Sequence, residues 1–398
     1  MSELRVRACT EDGGALLGYS NMAAYRLEQG EDAFRKLFRL YKSRNPPADL
    51  SGVIDFSQGH PKVQSKKLGL GLLNDQDASR AGLQPLRQWK VYSLDGYPGF
   101  LFISNPFLPG WQHHWVGQCL KFYPRKPNVC NLDLHMTLEQ TSDLWGSSQE
   151  QLRSKSAEKR NKKSVLEKLR WVTLGYHYNW DTKTYNSDLL SPFPLDLAEL
   201  SRCVSAACGF HNFKPEAGIL NYYHLDSSLG IHVDESELDH QSPLLSFSFG
   251  QSCIFLLGGL NREHMPTPMM MHSGDIMVMS GQSRLLYHAV PRILPFPGGD
   301  MLPPCLSVPP ATETSDPPLI EPCSTLDWEV CAQYLRRSRI NMTVRQVLQE
   351  GCSFPQVENL SQLTEADSYH HYDGEEMGRE GHDGKDVLTK RMKMTEDC

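Results

Sequence analysis

The feature that most constrains this chain is an alternation near its C-terminal end, Arg339-Ile-Asn-Met-Thr-Val-Arg345. Read as a strand, it puts Arg339, Asn341, Thr343 and Arg345 on one face and Ile340, Met342 and Val344 on the other. The apolar face demands a packed layer. The two arginines demand an anion, because a buried unpaired charge is costly. A small dicarboxylate would satisfy them through forked, bidentate hydrogen bonds. Further short strands are expected at 89–92, 99–103, 218–223, 230–233, 244–249, 252–257, 275–279 and 283–289. Gly, Pro and Asp turns separate them, and Leu244-Leu-Ser-Phe-Ser-Phe249 alternates cleanly. Such a series predicts a sandwich or barrel.

Upstream lies Asn221-Tyr-Tyr-His-Leu-Asp-Ser-Ser-Leu-Gly-Ile-His-Val-Asp234. On a strand, His232 and Asp234 would point the same way. With a distant histidine they would form the 2-His-1-carboxylate triad that holds non-haem Fe(II) and leaves coordination positions open. His288, in Ser283-Arg-Leu-Leu-Tyr-His288, can supply that ligand. A surface turn is the competing reading, favoured by the acidic Glu235, Glu237 and Asp239 that follow. Asn221 and Tyr223 share a face and carry groups suited to a carboxylate or keto oxygen.

Taken in order, Asn-x-Tyr, His-x-Asp, His and Arg-x-Asn-x-x-x-Arg resemble the AlkB family of Fe(II)/2-oxoglutarate nucleic-acid dioxygenases. Gly258-Gly-Leu-Asn-Arg262 and His272-Ser-Gly-Asp-Ile276 extend the likeness, which covers roughly residues 170–350. Leu174-Gly-Tyr-His-Tyr-Asn-Trp180 and Asn105-Pro-Phe-Leu-Pro-Gly110 look closest to the family's animal homologue-one branch. The resemblance implies an α+β, mainly β fold, a double-stranded β-helix (jelly roll) with an N-terminal helical extension.

It also implies roles. His232, Asp234 and His288 would bind Fe(II). Asn221, Tyr223, Arg339, Asn341 and Arg345 would hold 2-oxoglutarate, with Arg339 on the distal carboxylate and Arg345 nearer the C1 end. O2 would complete the set, and oxidation of a methyl group would release succinate, CO2 and formaldehyde. Tyr176, His177 and Tyr178 match the family's nucleotide-recognition segment, and Arg262 matches a substrate contact. Trp145 is a further candidate for stacking on a base taken out of its helix. Bacterial members carry an acidic residue two places after the triad aspartate, where this chain has Ser236. The implied substrate is methylated tRNA (N1-methyladenine, 5-methylcytosine), or DNA carrying N6-methyladenine.

The rest of the chain falls into expected regions: an extension at 1–88, a support and nucleotide-recognition region at 89–217, the jelly-roll core at 218–350 and a polar tail at 351–398. Within the extension, residues 32–43 predict an amphipathic helix capped by Asp32. Another helix starts after Pro109 and Gly110, and 194–208 and 326–337 are also expected to be helical. Between 293 and 322 nine prolines mark an exposed insertion.

Net charge is −7, yet nucleic-acid binding depends on local patches, and the run from Arg153 to Arg170 is basic. No apolar run reaches the roughly 18 residues of a membrane span, so no membrane partner is expected. The eleven cysteines contain no Cys-x-x-Cys, which suggests reduced thiols inside the cell. The expectation is a monomer in the nucleus, mitochondrion or cytoplasm. Two alternatives remain: a 2-oxoglutarate-dependent hydroxylase or demethylase of proteins such as histones, and a jelly roll that binds without turnover. The basic run discriminates against the first, and the complete set of ligands and arginines against the second.

Overall fold

The alternating segment forms strand Ser338–Arg345, buried along its whole length, and the fold is laid out from it. The computed structural model describes residues 32–69, 73–153, 164–311 and 319–355. In chain order its strands are β1 Val63–Lys66, β2 Lys90–Leu94, β3 Phe100–Ser104, β4 Val129–Cys130, β5 Trp171–Asn179, β6 Thr184–Leu190 and β7 Ala217–His224. They continue with β8 Leu229–His232, β9 Leu244–Gly250, β10 Ser252–Leu257, β11 Thr267–Met271, β12 Ile276–Met279, β13 His288–Leu294 and β14 Ser338–Arg345. The helices that matter below are α1 Ala33–Lys42, α2 Gln112–Gly117, α3 Leu144–Arg153, α4 Leu195–Ala207 and α5 Thr325–Leu335.

Two antiparallel sheets face each other. The larger runs β1-β2-β3-β12-β9-β14-β7-β5-β4, with β6 on β5, and the smaller runs β11-β10-β13-β8. This is the jelly roll expected from the sequence. Because paired residues share a face, the register sorts the large sheet. Arg339 opposes Tyr223, and Asn341 opposes Asn221 on one side and Ser248 on the other. Those residues look inward. Leu220, Tyr222, Phe247, Phe249, Ile340, Met342 and Val344 look outward, into a core shared with Trp115 of α2, Leu200 and Val204 of α4, and Leu335 of α5. On the inner side, Phe102, Tyr223 and Met277 pack across on Cys253, Phe255, Leu257 and Met269 of the small sheet.

Helix α1 covers the outer face of the small sheet. Phe34, Phe38 and Tyr41 meet Ile254, Leu256 and Ala289. Burying each such side chain is worth about 1.5–3 kcal/mol. Asp32 caps the helix by accepting from the Arg35 amide, as its position predicts.

Three sequence expectations change, and one proline outside the expected insertion lies within a strand. Residues 283–289 are not a strand; a 3-10 turn at Gly281–Ser283 precedes β13, which starts only at His288. Ser283 is pinned to the Pro98 carbonyl and Arg284 turns inward to the Glu237 carboxylate and the Asp234 main-chain carbonyl, contacts that a strand would forgo. The proline-rich stretch is not wholly exposed, since Leu306 and Ile320 are buried in the main core. Pro291 lies inside β13, tolerated because the pairing with β10 bulges there. Glu237 and Asp239 are buried rather than part of a surface turn.

Strands β1, β6 and β11 carry little alternation and escape a reading of the sequence. Pro268 sits in β11 without harm because that strand is an edge. The expected extension adds β1 to the same sheet that holds β14. The middle of the basic run, the first thirty-one residues and the tail beyond residue 355 lie outside the described residues. Among those described, no helix is long and apolar enough to cross a membrane.

Candidate active site

His232 closes β8 and His288 opens β13, and the antiparallel pairing sets them opposite each other. Their ring centroids lie 4.2 Å apart. His288 Nε2 is 3.8 Å from Asp234 Oδ2. One ligand atom from each of His232, Asp234 and His288 falls within 4.8 Å of the others, the only such metal-competent group among the described residues.

Each imidazole is oriented by its own backbone. His232 Nδ1 is 2.9 Å from the Gly230 carbonyl, and His288 Nδ1 is 3.0 Å from that of Leu286. A carbonyl only accepts, so Nδ1 carries the hydrogen in both rings and the Nε2 lone pairs are left for a metal. Burial, with His232 beside it, pushes the His288 pKa down to about 4, which keeps it a neutral ligand at pH 7.

Asp234 is not on a strand, because β8 ends at His232. Its orientation therefore comes from tertiary contacts and not from strand alternation. Arg345 Nη2 donates to Asp234 Oδ2 at 3.0 Å, and Arg284 Nη1 donates to the Asp234 main-chain carbonyl at 2.7 Å. Burial alone would raise the Asp234 carboxyl; Arg345, then His232, His288 and Arg284, outweigh it and hold the pKa well below the usual range.

The two arginines of the alternating strand differ. Arg345 finds its anions within the chain, Asp234 and Glu237, with Nε 2.9 Å from Glu237 Oε1. The expectation that both need an outside dicarboxylate therefore fails for Arg345. Arg339 instead is 2% exposed and donates only through Nη2 to Ser248 Oγ at 2.9 Å. Its Nε and Nη1 are buried without a partner. Two orphaned donors on one buried guanidinium call for an anionic acceptor such as a carboxylate. Tyr223 lies under the Arg339 guanidinium, 5.3 Å from ring centroid to Cζ. Asn341 bonds Ser246 Oγ and the Phe247 carbonyl and accepts from Thr343. Asn221 pairs in register with Asn341 on the same face. The donor set thus fits Fe(II), and the Arg339 cradle fits the distal carboxylate of 2-oxoglutarate.

The expected substrate residues separate. Gly175, at φ +67, redirects β5; a Cβ there would lie 2.0 Å from the Glu216 carbonyl oxygen. Beyond it Tyr178 reaches the loop after the triad aspartate, its hydroxyl 3.3 Å from Ser236 Oγ. Tyr178 also meets Trp180 and Tyr185 edge-on. Tyr176 instead packs on Phe354, and His177 is buried with Nδ1 2.8 Å from Thr173 Oγ1. Two of them have partners elsewhere in the fold. Trp145 is buried in the core on the helix-covered side of the large sheet, because α3 uses it for packing. Arg262 pairs with Asp32, and its carbonyl accepts from the Phe34 amide, so it pins the start of α1.

Arg284, Glu237, Tyr185 and Trp180 belong to the site or its border and were missed. Arg284 is four residues before His288, a spacing that could have raised the question. Glu237 carried no signal beyond a general acidic run.

The model of the 2OG-Fe(II) oxygenase superfamily matches residues 99–345. Among curated relatives, the human "Nucleic acid dioxygenase ALKBH1" is 61% identical over 346 residues, 84% of this chain and 89% of that protein. The Arabidopsis thaliana "DNA N(6)-methyladenine demethylase ALKBH1A" is 30% identical over 352 residues, 81% of this chain and 93% of that one. The Schizosaccharomyces pombe "tRNA demethylase abh1" is 45% identical over 133 residues, 33% of this chain and 44% of that one.

Proposed function

The chain belongs to the 2OG-Fe(II) oxygenase superfamily and, within it, to the AlkB family; from that premise we propose that it demethylates or oxidises methylated bases in nucleic acid, tRNA first and DNA second. It is a dioxygenase that uses Fe(II), 2-oxoglutarate and O2. When bound, iron and 2-oxoglutarate with O2 supply the oxidising power to hydroxylate a methyl group, with succinate and CO2 as coproducts. An N-hydroxymethyl base then releases formaldehyde.

The chain's own part is positioning. His232, Asp234 and His288 would hold the iron, with His288 kept neutral by burial and the carboxylate kept ionised beside Arg345. Arg339 holds the distal carboxylate of 2-oxoglutarate, with Tyr223 beneath it and Asn221 and Asn341 on the same face. Tyr178, with Trp180 and Tyr185, forms an aromatic wall beside Ser236, suited to a flipped base. The single observation that carries the reading is the pair of unpartnered Arg339 donors on the sheet face from which Arg345 reaches Asp234. The tRNA and DNA substrates rest on the names of the relatives, and the reading takes the chain as a monomer.

The test is succinate release with Fe(II) and 2-oxoglutarate, with and without a methylated tRNA stem-loop, in the wild type and His232→Ala. Release that needs RNA and vanishes in the variant is expected. Stimulation by a histone peptide and not by RNA would overturn the substrate class.

A further inference from the structure

Around Asp234 the contacts close into a ring. Arg345 donates to its carboxylate, at Oδ2, and Arg284 donates to its main-chain carbonyl. Both arginines then meet one second carboxylate. Arg345 Nε lies 2.9 Å from Glu237 Oε1, and Arg284 Nη2 donates to Glu237 Oε2 at 2.9 Å. Side chain and backbone of Asp234 are thus each gripped by one guanidinium, and Glu237 grips both guanidiniums.

The ring is built and not incidental. The side chains of Arg284, Glu237 and Arg345 are 1%, 2% and 3% exposed. Two positive and two negative charges balance, which buried ions require. Tyr185 adds a hydroxyl that donates to Glu237 Oε1 at 3.4 Å. Asp234 needs such a device because it stands beyond the end of β8, where no ladder hydrogen bonds fix its φ and ψ. Between the two pinned residues, Ser236 is left facing Tyr178.

We propose that Glu237 and Arg284 are positioning residues for the metal site: together they hold Asp234 in its ligating pose through Arg345 and through its own carbonyl. This rests on the reading of His232, Asp234 and His288 as the iron ligands. Neither Glu237 nor Arg284 donates to the metal. Loss of the Glu237 charge leaves Arg345 and Arg284 with Asp234 alone, so the carboxylate is drawn away from the two imidazoles. Partners that orient a ligand typically change metal affinity about 10–100-fold.

The experiment is Co(II) binding to the apoprotein, without 2-oxoglutarate, followed by visible absorption well below the unfolding temperature. The proteins are wild type, Glu237→Gln, Arg284→Lys and His232→Ala. Glu237→Gln keeps the shape and an acceptor oxygen while removing the charge. Arg284→Lys keeps the charge but reaches one acceptor at a time. The expected result is affinity lowered about 10–100-fold in both, with an altered absorption envelope at saturation. Should one variant not fold, the other decides. Affinity within about twofold of wild type, together with lost binding in His232→Ala, would overturn the clamp and leave the ligand assignment standing. Unchanged binding in His232→Ala would overturn the ligand assignment itself.

Discussion

The Arg339 guanidinium lies over the Tyr223 ring and commits only Nη2 within the protein, to the Ser248 hydroxyl. A buried arginine with two free donors is stable only if something charged completes it. The unpartnered donors and the aromatic ring beneath them fit an anionic acceptor such as a carboxylate.

Replacing Arg339 by alanine therefore removes the partner of a bound carboxylate. Truncating one side of a buried charge pair costs about 2–5 kcal/mol. The KM for 2-oxoglutarate should rise by about 30-fold or more, while Co(II) binding without cosubstrate stays as in wild type. An unchanged KM would remove Arg339 from the cosubstrate site.

Trp145→Ala separates packing from recognition. Because the indole is buried in the main core, the substitution should destabilise the fold by about 3–5 kcal/mol. The KM for a methylated oligonucleotide should not move at temperatures where the variant is folded. A raised KM with undiminished stability would restore the stacking role.

Tyr178→Phe removes the hydroxyl that meets Ser236 and leaves the ring on Trp180 and Tyr185. One neutral hydrogen bond is worth about 0.5–1.5 kcal/mol, a two- to roughly tenfold effect. It should appear in kcat/KM for nucleic acid and be absent from the KM for 2-oxoglutarate. Equal loss in both constants would mean that the residue supports the iron end instead.

The apoprotein should lose stability as pH falls from 6.5 toward 4. Burial is the largest cause lowering the pKa of His113, His114, His177, His224 and His288, those of His113 and His288 to about 4. A depressed imidazole stays neutral in the fold while the unfolded chain takes up protons, so its contribution is present above 6.5 and lost below. Asp275 has the opposite sign. Burial raises it to about 8, so its contribution is present at low pH and lost as pH rises through that value. Calorimetric Tm against pH checks both, and His113→Gln should make the acid limb shallower. An acid limb that His113→Gln leaves unchanged would contradict the burial of that ring.

The strands with a strong period of two were legible, and so were the ligands that lie on or beside them. His232 and His288 stood out by residue type, and Arg339 by its place on an alternating strand. Strand alternation does not aim Asp234, since β8 stops two residues earlier. The substrate side was read least well. Trp145 and Arg262 are the same residue types whether they stack on a base or fill a core and hold a helix cap, and only their neighbours decide.

What the sequence by itself determined is periodicity and chemistry: which strand faces are apolar, which residues can ligate iron, and which arginine types sit among them. These are local properties, set by alternation along the backbone and by side-chain structure. What only the tertiary structure decided is which charges meet. Arg284 and Arg345 come from segments far apart in the chain and meet on Asp234 and Glu237, while Arg339, on the same strand as Arg345, is left with donors to spare. Pairing across space follows from the register and closure of the two sheets, and no spacing along the chain encodes it.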